Sequence, residues 1–229
     1  YAEARALGHR PEAQSIALAA LATRLDMVPD GAQAELRVIR GVFDDLLAGR
    51  PASFVLYGQR LVVLPRGPGW DALRGDPSTF RFPHAISLLR TGDLAGAERE
   101  LRRALFHLPG YARAQAGLAA VLAARGDLAG AETLLEEASG RTPLPEIEAL
   151  LGDVRAARGD ATGAEQAYAV VRAEQQLFTA NGGDVDLELA LFDARHPEGG
   201  APLADTVARA RRAVRDRPSI FAYDALGWA

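Results

Sequence analysis

The 229-residue chain contains no cysteine and no lysine. Without cysteine there is no disulfide and no thiolate-ligated metal. Such a chain suits reducing and oxidising compartments alike. Without lysine there is no P-loop lysine, no Schiff base and no lysine general base. All 26 basic residues are therefore arginine, a bias expected of a GC-rich bacterial coding sequence. Aromatic residues are scarce at 7%, although 48% of the chain is hydrophobic. Much of that hydrophobic share is alanine, the best helix former and a small side chain. That composition favours thin, closely packed helices. No run of 18 apolar residues exists to span a bilayer. The charge balance of 26 basic against 30 acidic residues leaves a net −4. A surface so nearly balanced has no global attraction for nucleic acid or anionic lipid. The compartment expected is the cytoplasm, export with a removed signal being the alternative.

What is present in abundance is repetition. GDLAGAE occurs at Gly92–Glu98 and again at Gly126–Glu132, and GDATGAE follows at Gly159–Glu165. The copies start 34 and 33 residues apart. A period of this length, built from helix formers, marks a helix–turn–helix array. In each unit a helix leads to Gly-Asp, and a second helix follows. The glycine ends the first helix in a left-handed conformation, and the aspartate caps the second. The expected pairs are Phe82–Arg90 with a stripe of Leu94, Ala97, Leu101, Ala104 and Leu105; Ala112–Arg125 with Leu128–Gly140; and Pro145–Arg158 with Ala161–Phe178. Pro109 and Pro143 close the first two pairs.

The three units resemble tetratricopeptide repeats. With Ser78, Ala112 and Pro145 as first positions, the family's small eighth residue falls on Ala85, Ala119 and Gly152. Its alanine at twenty falls on Ala97, Ala131 and Ala164. The bulky twenty-fourth falls on Leu101, Leu135 and Tyr168. Position twenty-seven is Ala104, Ala138 and Val171, and position thirty-two is Pro109, Pro143 and Gln176. The family's frequent tryptophan at position four is replaced by Arg81, Gln115 and Glu148. The resemblance implies an all-α, right-handed α-α superhelix without cofactor or catalytic residues. The array is expected over 78–229, as 78–111, 112–144, 145–180, a divergent 181–218, and the start of a further helix at 219–229. Within the divergent part, Asp184–Arg195 and Pro202–Arg217 read as helices, the second with Leu203, Val207, Ala210 and Val214 as its apolar side.

Residues 1–77 are less regular. Tyr1–Leu7 reads as the tail of a helix, and Pro11–Met27 and Ala32–Ala48 as two long helices. Phe54–Tyr57 and Arg60–Leu64 are β-prone and flank a turn at Gly58-Gln59, giving a small hairpin near 53–64. Arg66–Pro77 reads as a loop.

Few residues carry a chemical motif. Asp184, Asp186 and Glu188 lack the looped spacing that calcium requires, and read as carboxylates at a helix start. Asp193 and His196 read as a surface pair. His9, His84 and His107 form no zinc-ligand spacing. The run Arg209, Arg211, Arg212, Arg215 and Arg217 lacks the interleaved aromatics of a single-strand binder, so no nucleic-acid partner is expected.

In the family, positions two, five, nine and twelve of each first helix line the concave face. Here these are Thr79, Phe82, Ile86 and Leu89; then Arg113, Ala116, Ala120 and Ala123; then Glu146, Ala149, Asp153 and Ala156. The expected partner-binding groove comprises Phe82, Ile86, Leu89, Arg113, Ala116, Ala120, Glu146 and Asp153. It suits a peptide or a protein helix laid on an apolar floor. The alternative occupant of that face is the hairpin or the chain's own N-terminal helices. A second functional reading is a regulatory, sensor or self-association module of a larger protein. No metal and no cofactor is expected on either reading.

Overall fold

The computed structural model describes residues 5–6, 11–26, 28, 32–56, 59–65, 70–184, 186–196, 202–216, 218 and 220–229. Two compact units emerge, Tyr1–Thr142 and Pro143–Ala229.

The first unit begins with β1 (Arg5–Ala6), α1 (Pro11–Asp26), α2 (Gln33–Leu47), β2 (Ala52–Leu56), β3 (Gln59–Val63) and α3 (Trp70–Gly75). A π-helical turn, Pro77–Arg81, runs directly into α4 (Phe82–Arg90), followed by α5 (Leu94–His107), α6 (Ala112–Ala124) and α7 (Leu128–Arg141). The strands form one sheet in the order β1-β3-β2. The hairpin expected from sequence is present, with Leu56 opposite Gln59. That register puts the connection at residues 57–58, one place earlier than the expected Gly58-Gln59 turn, and those two residues lie outside the described set. Arg5–Ala6 pairs in parallel with Leu61–Val62, so at these two residues a strand replaces the expected helix tail. Residue-level propensity does not encode such a long-range pairing.

Within the expected loop Arg66–Pro77, residues 70–77 are likewise more structured. Trp70–Gly75 is helical, and Asp76 caps the following turn by accepting from the backbone N–H of Ser78 at 2.8 Å and of Thr79 at 2.5 Å. Burial explains the ordering. Trp70 and Phe80 pack edge to face, and Phe80 packs edge to face on Phe43. They close a core that also contains Leu18, Leu21, Leu36, Ile39 and Leu46. Burying each such side chain contributes roughly 1.5–3 kcal/mol, enough to override weak local propensity.

His84 sits beside this aromatic core. It is 3% exposed, and its Nε2 lies 3.2 Å from an Asp44 carboxylate oxygen. Its Nδ1 is buried without a hydrogen-bond partner. Burial pushes the imidazole below its ordinary value, against the opposing effect of its hydrogen bond to Asp44 and the charges of Glu100 and Asp44. The neutral ring, donating through Nε2 to Asp44, is the form that fits.

The helical pairs follow the sequence expectation closely. Gly92, Gly126 and Gly159 adopt φ values of 87°, 88° and 85°, which L side chains rarely tolerate. Behind each glycine the next N–H reaches back to a carbonyl five residues earlier, as in Asp127 N to Leu122 O at 3.0 Å, the double closure of a Schellman turn. Asp93, Asp127 and Asp160 then cap the second helices, each accepting from an N–H three residues on at 2.9 Å. Ala85, Ala119, Ala97, Ala131, Leu101 and Leu135 are all fully buried. The polar residues at the position often held by tryptophan find partners on the second helix. Arg81 pairs with Glu100 at 2.9 Å, and Gln115 reaches Glu137 at 3.4 Å.

The second unit comprises α8 (Pro145–Ala157), α9 (Ala161–Ala180), α10 (Asp186–Arg195), α11 (Leu203–Asp216) and α12 (Ile220–Trp228). The pair α8–α9 is held by Ala164, Tyr168 and Val171, with Ala149 against them. Gly152 permits the closest approach, because a Cβ there would lie 2.2 Å from Cε1 of Tyr168. Helices α10, α11 and α12 share a small core of Ala190, Ala210 and Ala225. The expected apolar side of α11 needs correction. Leu203 is 69% exposed, and the buried face is Thr206, Ala210 and Ala213. Leu203 is in line with that face but occupies the first turn, at its exposed end.

Two outcomes follow for stability. Gly152→Ala forces the Tyr168 ring aside and costs about 1–3 kcal/mol, whereas Gly41→Ala, whose Cβ meets nothing within 4 Å in the middle of α2, gains about 0.5–1 kcal/mol. Urea midpoints of the two variants check this contrast. Because folding lowers the His84 imidazole, the folded first unit binds fewer protons than the unfolded chain. Its stability is therefore full above the ordinary value of 6.5 and declines as pH falls below it. Trp70 fluorescence in a Trp228→Phe background measures this decline during urea titrations at pH 7.5 and 5.5, and His84→Gln removes it.

Candidate functional site

Four of the concave-face positions named from sequence come together in the first unit. Thr79, Phe82, Ile86 and Arg113 line a cleft of about 290 Å³ with Ser78, Pro83 and Tyr111. Its other wall is Ala19, Ala22 and Thr23 of α1. The N-terminal helix thus borders the face that the repeats present, which is the alternative occupant foreseen from sequence.

Local structure explains each side chain's placement. The π-helical turn inserts one extra residue per turn relative to an α-helix. It sends Phe80 into the core while leaving Thr79 half-buried at the cleft. Pro83 lies in the first turn of α4 and has no N–H to give to the π-helical turn that precedes it. Phe82 meets the Tyr111 ring edge to face at 5.5 Å, which fixes the floor between the first and second repeats. Ile86 packs on the N-terminal core, and Leu89 on the core shared by α4, α5 and α6. Arg113 is exposed at the start of α6, and Ala116 and Ala120 are half-buried farther along it. The cleft therefore combines an aromatic and aliphatic floor, three hydroxyl-bearing rim residues and one guanidinium. Nothing in that set is a nucleophile–base pair.

Glu146 and Asp153 belong to the second unit. Glu146 is exposed on the first turn of α8. It contributes to an acidic neighbourhood with Glu148. Burial pushes the Glu174 carboxyl above its usual range, and the charges of Glu148 and Glu146 add to the effect. Asp153 is engaged inside the unit. Its Oδ1 accepts from the Tyr168 hydroxyl at 2.9 Å and from His196 Nε2 at 2.7 Å.

That contact overturns the expected Asp193–His196 surface pair. Asp193 is 4% exposed and pairs with Arg209 of α11, whereas His196 pairs with Asp153. Residues 193 and 196 project from different sides of the end of α10, one toward α11 and the other toward α8. The arginine run divides accordingly. Arg209 is spent on this ion pair, Arg215 bonds to Asp216 at 2.7 Å, and Arg217 lies outside the described residues. Asp184 is exposed, while the side chains of Asp186 and Glu188, together with His9, also lie outside them. His107 is exposed at the end of α5 and stacks edge-on with Phe106.

Sequence reasoning foresaw an N-terminal helix at this face but not which α1 residues form the wall, and it missed the Asp153–Tyr168–His196 cluster. The α1 residues carry no signal beyond small size. Asp153 and His196 are separated by 43 residues, and no local pattern links them.

Residues 88–154 match the family model described as tetratricopeptide repeat. This segment of the chain carries tetratricopeptide repeats. The matched segment runs from late α4 to α8, through the turns at Gly92 and Gly126 and the crossings at Ala97 and Ala131. Tetratricopeptide repeats generally serve as surfaces for protein–protein interaction, and catalysis is not typical of them. A search of curated proteins returned no match for this chain. Among the described residues, no helix is long and apolar enough to cross a membrane.

Proposed function

We propose that this repeat-bearing chain is a non-enzymatic scaffold that receives a peptide or a protein helix. The first unit supplies the anchor, in the cleft between α1 and the first two repeats. The observation supporting this is the convergence of Thr79, Phe82, Ile86 and Arg113 on one cleft of about 290 Å³. Such a volume fits one or two bulky apolar side chains of a partner. Phe82 and Ile86 supply the apolar contact, and Arg113 sets register by its charge. Ala116 and Ala120 leave room for a helix to lie along α6, and Glu146 is proposed separately as an acidic contact of the second unit.

A photo-crosslinking amino acid at position 113 tests the placement. It is expected to capture a partner that the same group at Arg102, exposed on α5, does not. Capture from position 102 alone would place the docking face elsewhere. Phe82→Ser combined with Ile86→Ser, with folding verified by circular dichroism, is expected to weaken capture by at least tenfold, about 1.4 kcal/mol.

A second reading makes the N-terminal part a regulatory, ligand-binding or self-association module. It is favoured by a separate cleft of about 410 Å³ between α1, α2 and β2. Its floor is Leu21, Ile39, Val42 and Phe54, and its rim carries the Arg24–Glu35 ion pair. Val38 and Val55 at that rim are 64% and 49% exposed. Thermal shift against apolar small molecules tests it. Stabilisation lost in Val38→Glu supports the reading, and its absence removes it.

A further inference from the structure

The end of α10 carries an arrangement that the docking face does not use. His196 follows α10 directly, with its side chain 12% exposed. Its ring lies 4.4 Å from the Tyr168 ring and 4.5 Å from the Phe192 ring, centroid to centroid. Both ring nitrogens face acceptors. Nε2 is 2.7 Å from Asp153 Oδ1, and Nδ1 is 2.9 Å from the Phe192 carbonyl oxygen. An imidazolium donates through both nitrogens, whereas a neutral imidazole has only one N–H to give. One of the two contacts would then set a nitrogen lone pair against an oxygen lone pair.

We infer that the Asp153–Tyr168–His196 contact is a proton-operated fastening, which holds α10 on the α8–α9 pair when the imidazole is charged and loosens it when the imidazole is neutral. Among the described residues, Phe192 is the α10 residue in the cluster formed with Ala164, Tyr168 and Val171. Ala190, Ala210 and Ala225, with Leu191 and Leu226 against them, join α10 to α11 and α12. The ion pair adds to the Phe192 contact in fastening α10 to the α8–α9 pair.

The charged groups around the ring are consistent with this device. Asp153 projects from α8. From α9 come the Tyr168 hydroxyl, which donates to the same Asp153 oxygen, and Arg172, whose guanidinium lies 5.6 Å over the Phe192 ring and pairs with Glu165 at 2.7 Å. Arg195 of α10 opposes a charge on His196, and Arg209 of α11 is committed to Asp193. Burial disfavours the imidazolium, but the Asp153 hydrogen bond, the Phe192 carbonyl and the Asp153 charge outweigh it and raise the imidazole above its ordinary value. For Asp153, burial is likewise outweighed, by hydrogen bonds from His196 and Tyr168, and its carboxyl is lowered. The sign is fixed by linkage. The His196 contribution is full below the ordinary value of 6.5 and is lost as pH rises through the raised folded value. The Asp153 contribution is full above its ordinary 3.8 and is lost as pH falls through the lowered one. The fastening is therefore full between the two ordinary values, 3.8 and 6.5, and is lost as pH passes through either displaced value.

Long-range proton–nitrogen NMR of the full chain tests this, with His196→Asn to assign the signal. Both His196 nitrogens are expected to be protonated at pH 6.5, with a midpoint above that of an unstructured histidine. Amide-exchange protection of α10, corrected for intrinsic rates, is expected to fall between pH 6 and pH 9. The fall is on the order of tenfold for each pH unit by which folding displaces the imidazole. Asp153→Asn is expected to abolish the dependence. A His196 midpoint at or below the ordinary value would overturn the inference, as would α10 protection unchanged with pH in the wild-type chain. If the Asp153 variant fails to fold, the wild-type titration alone decides.

Discussion

Each helical pair is organised by how near two backbones can come. At Ala97, Ala131 and Ala164 the second helix presents little more than a methyl group to the first, and Ala85, Ala119 and Gly152 answer from the other side. Small residues on both sides let the helix axes approach, and the larger Leu101, Leu135 and Tyr168 fill the space one turn along. The positive-φ glycines only return the chain. The crossings fix the angle at which it returns. A chain poor in aromatics and rich in alanine is suited to this arrangement, because close packing rather than sheer side-chain bulk supplies the contacts.

The same economy shapes the rest of the first unit. Where small residues do not suffice, aromatics are concentrated. Phe43, Trp70 and Phe80 meet edge to face beside His84 and join the N-terminal helices to the start of the first repeat. Arg40 and Arg90 fasten the same junction, Arg40 to Asp93 at 2.9 Å and Arg90 to the Leu25 and Val28 carbonyls. The cleft that carries the proposed docking function lies beside this junction. Its walls come from α1 and from the repeats, so its width depends on the aromatic core that positions α1.

Legibility in the sequence followed the range of the interaction. The helical pairs from α4 to α9 were readable nearly to the residue, because caps, turns and crossings recur within one repeat length. Thr79, Phe82, Ile86 and Arg113 were readable as one face for the same reason. The short helix at Trp70 and the π-helical turn were not, since their ordering comes from burial against α2 rather than from local propensity. Strand β1 depends on a partner at Leu61–Val62. Asp153 and His196 look like two unrelated polar residues until α8 and α10 are brought together. The buried polar residues at the expected tryptophan positions show a further limit. Arg81 and Gln115 stand where the family often has tryptophan, and each is buried or nearly so against a carboxylate of the second helix.

The central claim is that close crossings through small residues hold these pairs together, and Gly152 against Tyr168 is its most extreme case. Proton NMR of the intact chain reads that approach directly. The account predicts strong nuclear Overhauser contacts from the Gly152 α-protons to the Tyr168 ring, with ring-current displacement of the glycine signals. Gly152 α-protons at ordinary shifts, with no contact to that ring, would contradict it.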